Sequence, residues 1–224
     1  MWIFSSHSLS STNSSARRAY LGGFTIIELM VASAIIIVIT TVILFRHERF
    51  NSATILRSLA YGVALSVRQA QLYGTAVRET SLGCSGNACF PSYGVYFKTG
   101  ETTRYFLAAD SLPLPNGNGT IATDGTEDIS PPSPYSLNGG YQIKDFCAYT
   151  SSTAHCKSND IITSYLTIRF VRPNPDALFV TDAGGTYTRA CVELESPGES
   201  TRAIEITNTG QISVNISGTT CAAL

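Results

Sequence analysis

Between Phe24 and Phe45 the chain has 22 residues and a single charge, the carboxylate of Glu28. A carboxylate in hydrocarbon costs several kcal/mol unless it meets a partner, so one retained in such a run points to function rather than to plain anchoring. Six cysteines form a second chemical set: Cys84, Cys89, Cys147, Cys156, Cys191 and Cys221 all lie beyond the apolar run. An even number confined to that side reads as disulfides in an oxidising compartment. Sequence neighbours suggest Cys84–Cys89, Cys147–Cys156 and Cys191–Cys221, one of several pairings that remain open. The rival, a zinc site built from the first four, needs tight paired turns that spacings of five and nine do not match. Asp124, Glu127 and Asp128 raise the question of calcium. They form no regular oxygen-ligand repeat, and a solvated surface loop is the expectation for them. His155 is the one histidine beyond residue 76 and falls in a Ser/Thr-rich loop. No nucleophile elbow, zinc motif or glycine-rich phosphate loop is present. No catalytic residue, metal or cofactor is therefore expected, and the chain reads as non-enzymatic.

The elements that carry these residues follow from hydrophobic periodicity. No proline or glycine interrupts Phe24 to Tyr61, and 22 helical residues at about 1.5 Å each measure roughly 33 Å, close to the hydrocarbon thickness of a bilayer. Arg46, His47, Glu48 and Arg49 would mark the membrane surface. Apolar residues then return at helical spacing: Ile55/Leu56, Leu59, Val63, Val67 and Ala70. This stripe should pack on a following domain, while a face bearing Arg57, Arg68 and Gln71 stays free for solvent or another subunit. Gly62 is expected to permit close approach of a neighbouring element. The helix should end near Gly74, giving a length of about 75 Å.

Beyond it, Val77 to Pro91 reads as a loop closed by Cys84–Cys89. Tyr93–Phe97 and Thr102–Leu107 read as a hairpin, with Tyr93, Val95 and Phe97 on one face. Residues 108–138 hold five prolines and several glycines, predicting a long surface excursion with one short strand near residues 120–122. Strands are also predicted at 141–146, 161–172, 177–181, 187–194, 202–206 and 211–216, with 161–172 and 177–181 as one hairpin and the last two as another. The rhythm implies a mainly antiparallel sheet curved against the helix.

Residues 77–224 carry 9 Lys and Arg against 14 Asp and Glu, a net charge of −5. A field of that sign does not gather nucleic acid, so nucleic acid is not an expected partner. Residues 1–23 have a Ser-rich start and carry Arg17 and Arg18 toward their end, which suits a cytoplasmic leader. They lack the apolar stretch and small-residue cleavage site of a secretory signal.

Gly22-Gly23-Phe24-Thr25-Ile26-Ile27-Glu28-Leu29, at the head of this apolar segment, resembles the cleavage and methylation signal of type IV pilins and type II secretion pseudopilins. The resemblance implies a pilin-like α+β fold: a long N-terminal helix, membrane-spanning in its first half, packed on a mainly antiparallel β-sheet head. It implies processing at Gly22, Gly23, Phe24 and Glu28, with a prepilin peptidase cutting between Gly23 and Phe24 and methylating the new Phe24 amine. Assembly would use Phe24 and Glu28, the carboxylate pairing with the N-terminal amine of a neighbouring subunit.

The implied organisation is a leader at 1–23, a transmembrane part at 24–45, an extracytoplasmic amphipathic part at 46–76 and a disulfide-containing β-rich head at 77–224. Implied partners are other pilin or pseudopilin subunits, the peptidase, an inner-membrane assembly platform, and lipid before assembly. The implied location is the bacterial inner membrane, single-pass with the head outside the cytoplasm, and then a pilus or pseudopilus. Tyr93-Gly94-Val95-Tyr96-Phe97 after such a helix resembles the first head strand of the pseudopilin H and FimT/FimU-like minor group, so a minor subunit is expected. The alternatives are a membrane-anchored adhesin or ligand-binding module, and a major pilin. Many pilins carry a proline midway along the first helix; this chain has none there.

Overall fold

The computed structural model describes residues 23–76, 91–112, 117–158, 164–215 and 220–221, without side chains at 45–50. All of the predicted Val77–Pro91 loop but Pro91, its Cys84–Cys89 pairing and all of the leader but Gly23 lie outside the described residues, as do the side chains of Arg46 to Arg49. The chain divides into two compact units, residues 1–45 and 46–224. It is α+β: among the described residues one α-helix, α1 (Ile26–Thr75), precedes ten strands.

Two five-stranded antiparallel sheets take the place of the single sheet expected. The first has the order β3-β2-β1-β6-β7, formed by β1 (Ser92–Lys98), β2 (Arg104–Asp110), β3 (Tyr135–Ser136), β6 (Tyr165–Phe170) and β7 (Ala177–Thr181). The second has the order β10-β9-β8-β4-β5, formed by β4 (Gln142–Tyr149), β5 (Ala154–Cys156), β8 (Arg189–Glu195), β9 (Thr201–Thr207) and β10 (Ile212–Val214). The predicted hairpins β1–β2, β6–β7 and β9–β10 are present. The split into two sheets arises because β4 pairs with β8 while β1 pairs with β6, choices of distant partner that local alternation does not encode.

One core joins the second half of α1 to both sheets. Leu56, Ala60, Val63, Val67 and Ala70 cluster with Val95, Phe97, Leu107, Leu166, Ile168 and Phe170 of the first sheet, and with Ile143, Phe146, Val192, Leu194, Ile204 and Ile206 of the second. Each Val, Leu, Ile or Phe among them contributes about 1.5–3 kcal/mol when fully buried. The opposite faces of the sheets are covered too, which is why β1 and β8 are buried nearly throughout rather than at alternate positions. On the first sheet Tyr96, Phe106, Ala108 and Ile121 form a second small cluster. On the second, Cys147, Tyr149, Cys156, Cys191, Ala203 and Cys221 form a third.

Four expectations need correction. Gln71 does not face solvent: it is buried, and its Nε2 donates to the carbonyls of Pro175 at 2.8 Å and Gly210 at 3.1 Å. A single amide thus ties the end of α1 to a turn of each sheet, which offsets its desolvation. Gly62 allows no close approach, since a Cβ there would meet nothing within 4 Å; that role belongs to Gly74, where a Cβ would stand 2.5 Å from the Phe170 carbonyl oxygen. No strand forms at 120–122. Finally, the 117–129 segment is not a plain solvated loop. Glu127 is 1% exposed, and its carboxylate accepts the backbone N–H groups of Ser111, Leu112 and Ala122. A carboxylate supplied with three donors holds the loop over the outer face of the first sheet.

Candidate functional site

Thr25 sets the start of α1. Its Oγ1 accepts the Glu28 N–H at 3.3 Å and its carbonyl accepts the Leu29 N–H at 3.1 Å. Thr25 and Glu28 thus stand at the spacing of a capping box, and an acidic residue in the first turn also complements the helix dipole. From Ile26 to Leu44 the helix has a mean hydropathy of 2.7 with no residue buried, so it is long and apolar enough to cross a membrane. Phe24, immediately before it, is 82% exposed.

Besides Glu28, the polar side chains in this span are Ser33, Thr40 and Thr41. Each hydroxyl donates to a carbonyl one turn back: Ser33 to Met30 at 2.9 Å, Thr40 to Ile36 at 2.7 Å and Thr41 to Ile37 at 2.8 Å. These groups are satisfied within the helix and ask nothing of their surroundings. The Glu28 carboxylate is different, because it has no hydrogen bond or ion pair among the described residues. Of the residues expected to act in processing and assembly, Gly22 lies outside the described part. Gly23, Phe24 and Glu28 are all exposed at the start of the helix.

In the head, the two predicted disulfides within the described residues are formed. Cys147 and Cys156 face each other across β4 and β5, and Cys191 joins Cys221 across 30 residues of chain. Asp145 lies beside Cys147 and Cys156, within reach of a common metal ion, but both sulfurs are spent in the disulfide. The acids that raised calcium are engaged separately. Asp124 accepts the Thr126 N–H and hydroxyl, Glu127 holds its three amides, and Asp128 accepts the Tyr96 hydroxyl at 2.9 Å. Burial raises the Asp128 carboxyl above the usual range, partly countered by that hydrogen bond. Burial and the same contact push the Tyr96 phenol well up, so it remains a donor. Burial also pushes Tyr105 and Tyr149 to about 12. His155 lies on β5, edge-on to Tyr187 with ring centroids 5.7 Å apart, not in a loop as expected.

A second polar centre went unread in the sequence. Asp110, buried at the end of β2, accepts the Asn118 and Gly119 N–H groups, the Ser92 hydroxyl, and Nη1 of Arg169 at 2.8 Å. The available signal was Arg169 itself, a charge flanked by Ile168 and Phe170 near the end of an otherwise uncharged strand. Compared with known protein families, curated proteins and solved structures, the chain matches none.

Proposed function

We propose that this chain is a non-enzymatic minor subunit of a type IV pilus or type II secretion pseudopilus. In this reading it waits in the bacterial inner membrane on the first half of α1, with its head outside the cytoplasm. A prepilin peptidase removes residues 1–23 and methylates Phe24, and an inner-membrane assembly platform passes the subunit to its sister subunits. The observation that carries the reading is the wholly exposed apolar span at Ile26–Leu44, whose hydroxyls are all satisfied internally while Glu28 alone lacks a donor among the described residues. A neighbour's N-terminal amine supplies the missing cation, so packing apolar helices together replaces lipid and sets axial register in one step. The disulfides suit an oxidising compartment beyond the membrane.

Mass spectrometry of the protein isolated from membranes tests the processing step: the expected N terminus is N-methylated Phe24, and retention of residues 1–23 rejects the reading. Assembly is tested with Glu28→Ala and Glu28→Gln, each followed by membrane insertion and incorporation into filaments. Both should insert normally and incorporate poorly. Rescue by Glu28→Gln, which keeps the capping-box shape without the charge, would assign Glu28 a local helix-capping role instead.

A further inference from the structure

The Asp110 centre opens on a cavity of about 260 Å³ walled by Pro91, Ser92, Gly119, Arg169, Val171 and Arg172. Arg169 enters it from β6, with 13% of its side chain exposed. Its Nη1 is committed to Asp110 and to the Ser92 hydroxyl at 3.3 Å. Asp110 in turn has four donors and needs no more from the fork. The Nε–H is buried and has no hydrogen-bond partner among the described residues, although a guanidinium presents Nε and Nη2 as parallel donors along one edge. A buried donor left unmet costs free energy comparable to a lost hydrogen bond, so its persistence calls for an explanation in bound water or a ligand.

We propose that this cavity binds the carboxylate of a small organic acid, held by the outer edge of the Arg169 guanidinium with the Ser92 hydroxyl beside it. Planar pairs of donors match carboxylates and phosphates alike. The Asp110 carboxylate decides between them, because it already offsets the guanidinium charge: with little net charge left at the centre, a dianion gains little more from Coulomb attraction than a monoanion and loses more hydration on entering the cavity. The site is independent of the filament reading, since it uses head residues alone.

The test is titration of the full chain in detergent micelles with sodium propionate, following the backbone amide resonances of Gly119 and Asn118, with sodium chloride as the ionic-strength control. Propionate should give saturable shifts at millimolar concentration, and inorganic phosphate should bind more weakly. Arg169→Lys keeps a cation for Asp110 but loses the fork, and should weaken propionate binding at least about tenfold, the worth of one charge-assisted hydrogen bond. Should that variant melt far below the parent, Val171→Phe serves instead, filling the cavity from its wall and abolishing the shifts while Arg169 keeps its contacts. Shifts no larger than those with chloride, or propionate binding unchanged in both variants, would overturn the proposal; phosphate binding more tightly than propionate would overturn its choice of ligand.

Discussion

Two stretches of one helix treat their side chains in opposite ways. Along Ile26–Leu44 the large apolar side chains are exposed on every side, whereas Leu56 to Ala70 buries Leu56, Ala60, Val63, Val67 and Ala70 on one stripe. The polar residues differ in the same sense. Ser33, Thr40 and Thr41 bond only to their own helix. Ser66, Gln69 and Gln71 reach outward, to the Tyr105 hydroxyl at 3.0 Å, the Tyr135 hydroxyl at 2.9 Å and the Pro175 carbonyl at 2.8 Å. The first stretch is built to be indifferent to which apolar surroundings it has, and the second to be fixed in one place. Hydrophobicity all round calls for an external apolar medium, while hydrophobicity on a stripe calls for a core within the chain.

The largest test of that difference is a pair of truncations. Phe170→Ala, in the core, should cost about 3–5 kcal/mol of unfolding free energy measured by denaturant titration of the head signal. Ile36→Ala, in the exposed span, should leave the same titration unchanged, and a loss there comparable to that of Phe170→Ala would break the comparison.

Next come the covalent ties, which occur only in the head. Replacing Cys191 and Cys221 together by alanine opens a 30-residue loop and should cost about 3.5 kcal/mol. The same change at Cys147 and Cys156 opens a loop of nine and should cost about 2.5 kcal/mol. Equal losses would show that outer-face packing, rather than chain closure, dominates both sites.

Two glycines sharpen the comparison within the second stretch itself. Gly74→Ala forces a Cβ against the Phe170 backbone and should destabilise by about 1–3 kcal/mol. Gly62→Ala meets open space and should stabilise by roughly 0.5–1 kcal/mol through helix propensity. Thermal melting of the two variants separates the signs.

Local pattern made much of this architecture legible. The stripe from Leu56 to Ala70 and the three hairpins depend on period and turn residues, and both are visible in a single stretch of sequence. The same holds for Cys147–Cys156 and Cys191–Cys221, whose partners are sequence neighbours. What stayed hidden depends on distant groups. Gln71 looks like a solvent-facing residue until the carbonyls of Pro175 and Gly210 are brought to it. Glu127 looks solvated until Ser111, Leu112 and Ala122 turn their amides inward. β5 is three residues long among Ser and Thr, too short to show alternation, and exists because Cys156 must face Cys147. The Glu28 motif was legible as a motif; that the span's hydroxyls are internally satisfied needed the helix geometry.

The smallest effect concerns carboxylates. Glu127 and Asp110 are met by several donors inside the head, whereas Asp128 is half-buried with the Tyr96 hydroxyl as its hydrogen-bond donor. Its carboxyl is therefore raised above the usual value by burial. The native state then holds the Asp128 proton more tightly than the unfolded chain, where the pKa is about 3.9. Below that value both states are protonated and the group is neutral in the balance. As pH rises through it the unfolded state ionises first, so Asp128 subtracts stability, fully once pH passes the native value. Asp128→Asn removes the charge, and its Oδ1 still accepts from Tyr96. The variant should melt above the parent at pH 7 and converge with it near the acid end of the range in which the head stays folded. A variant lower by the same margin at every pH would mean that the Tyr96 contact depends on the ionised group. The head would then hold one charge as context-dependent as Glu28.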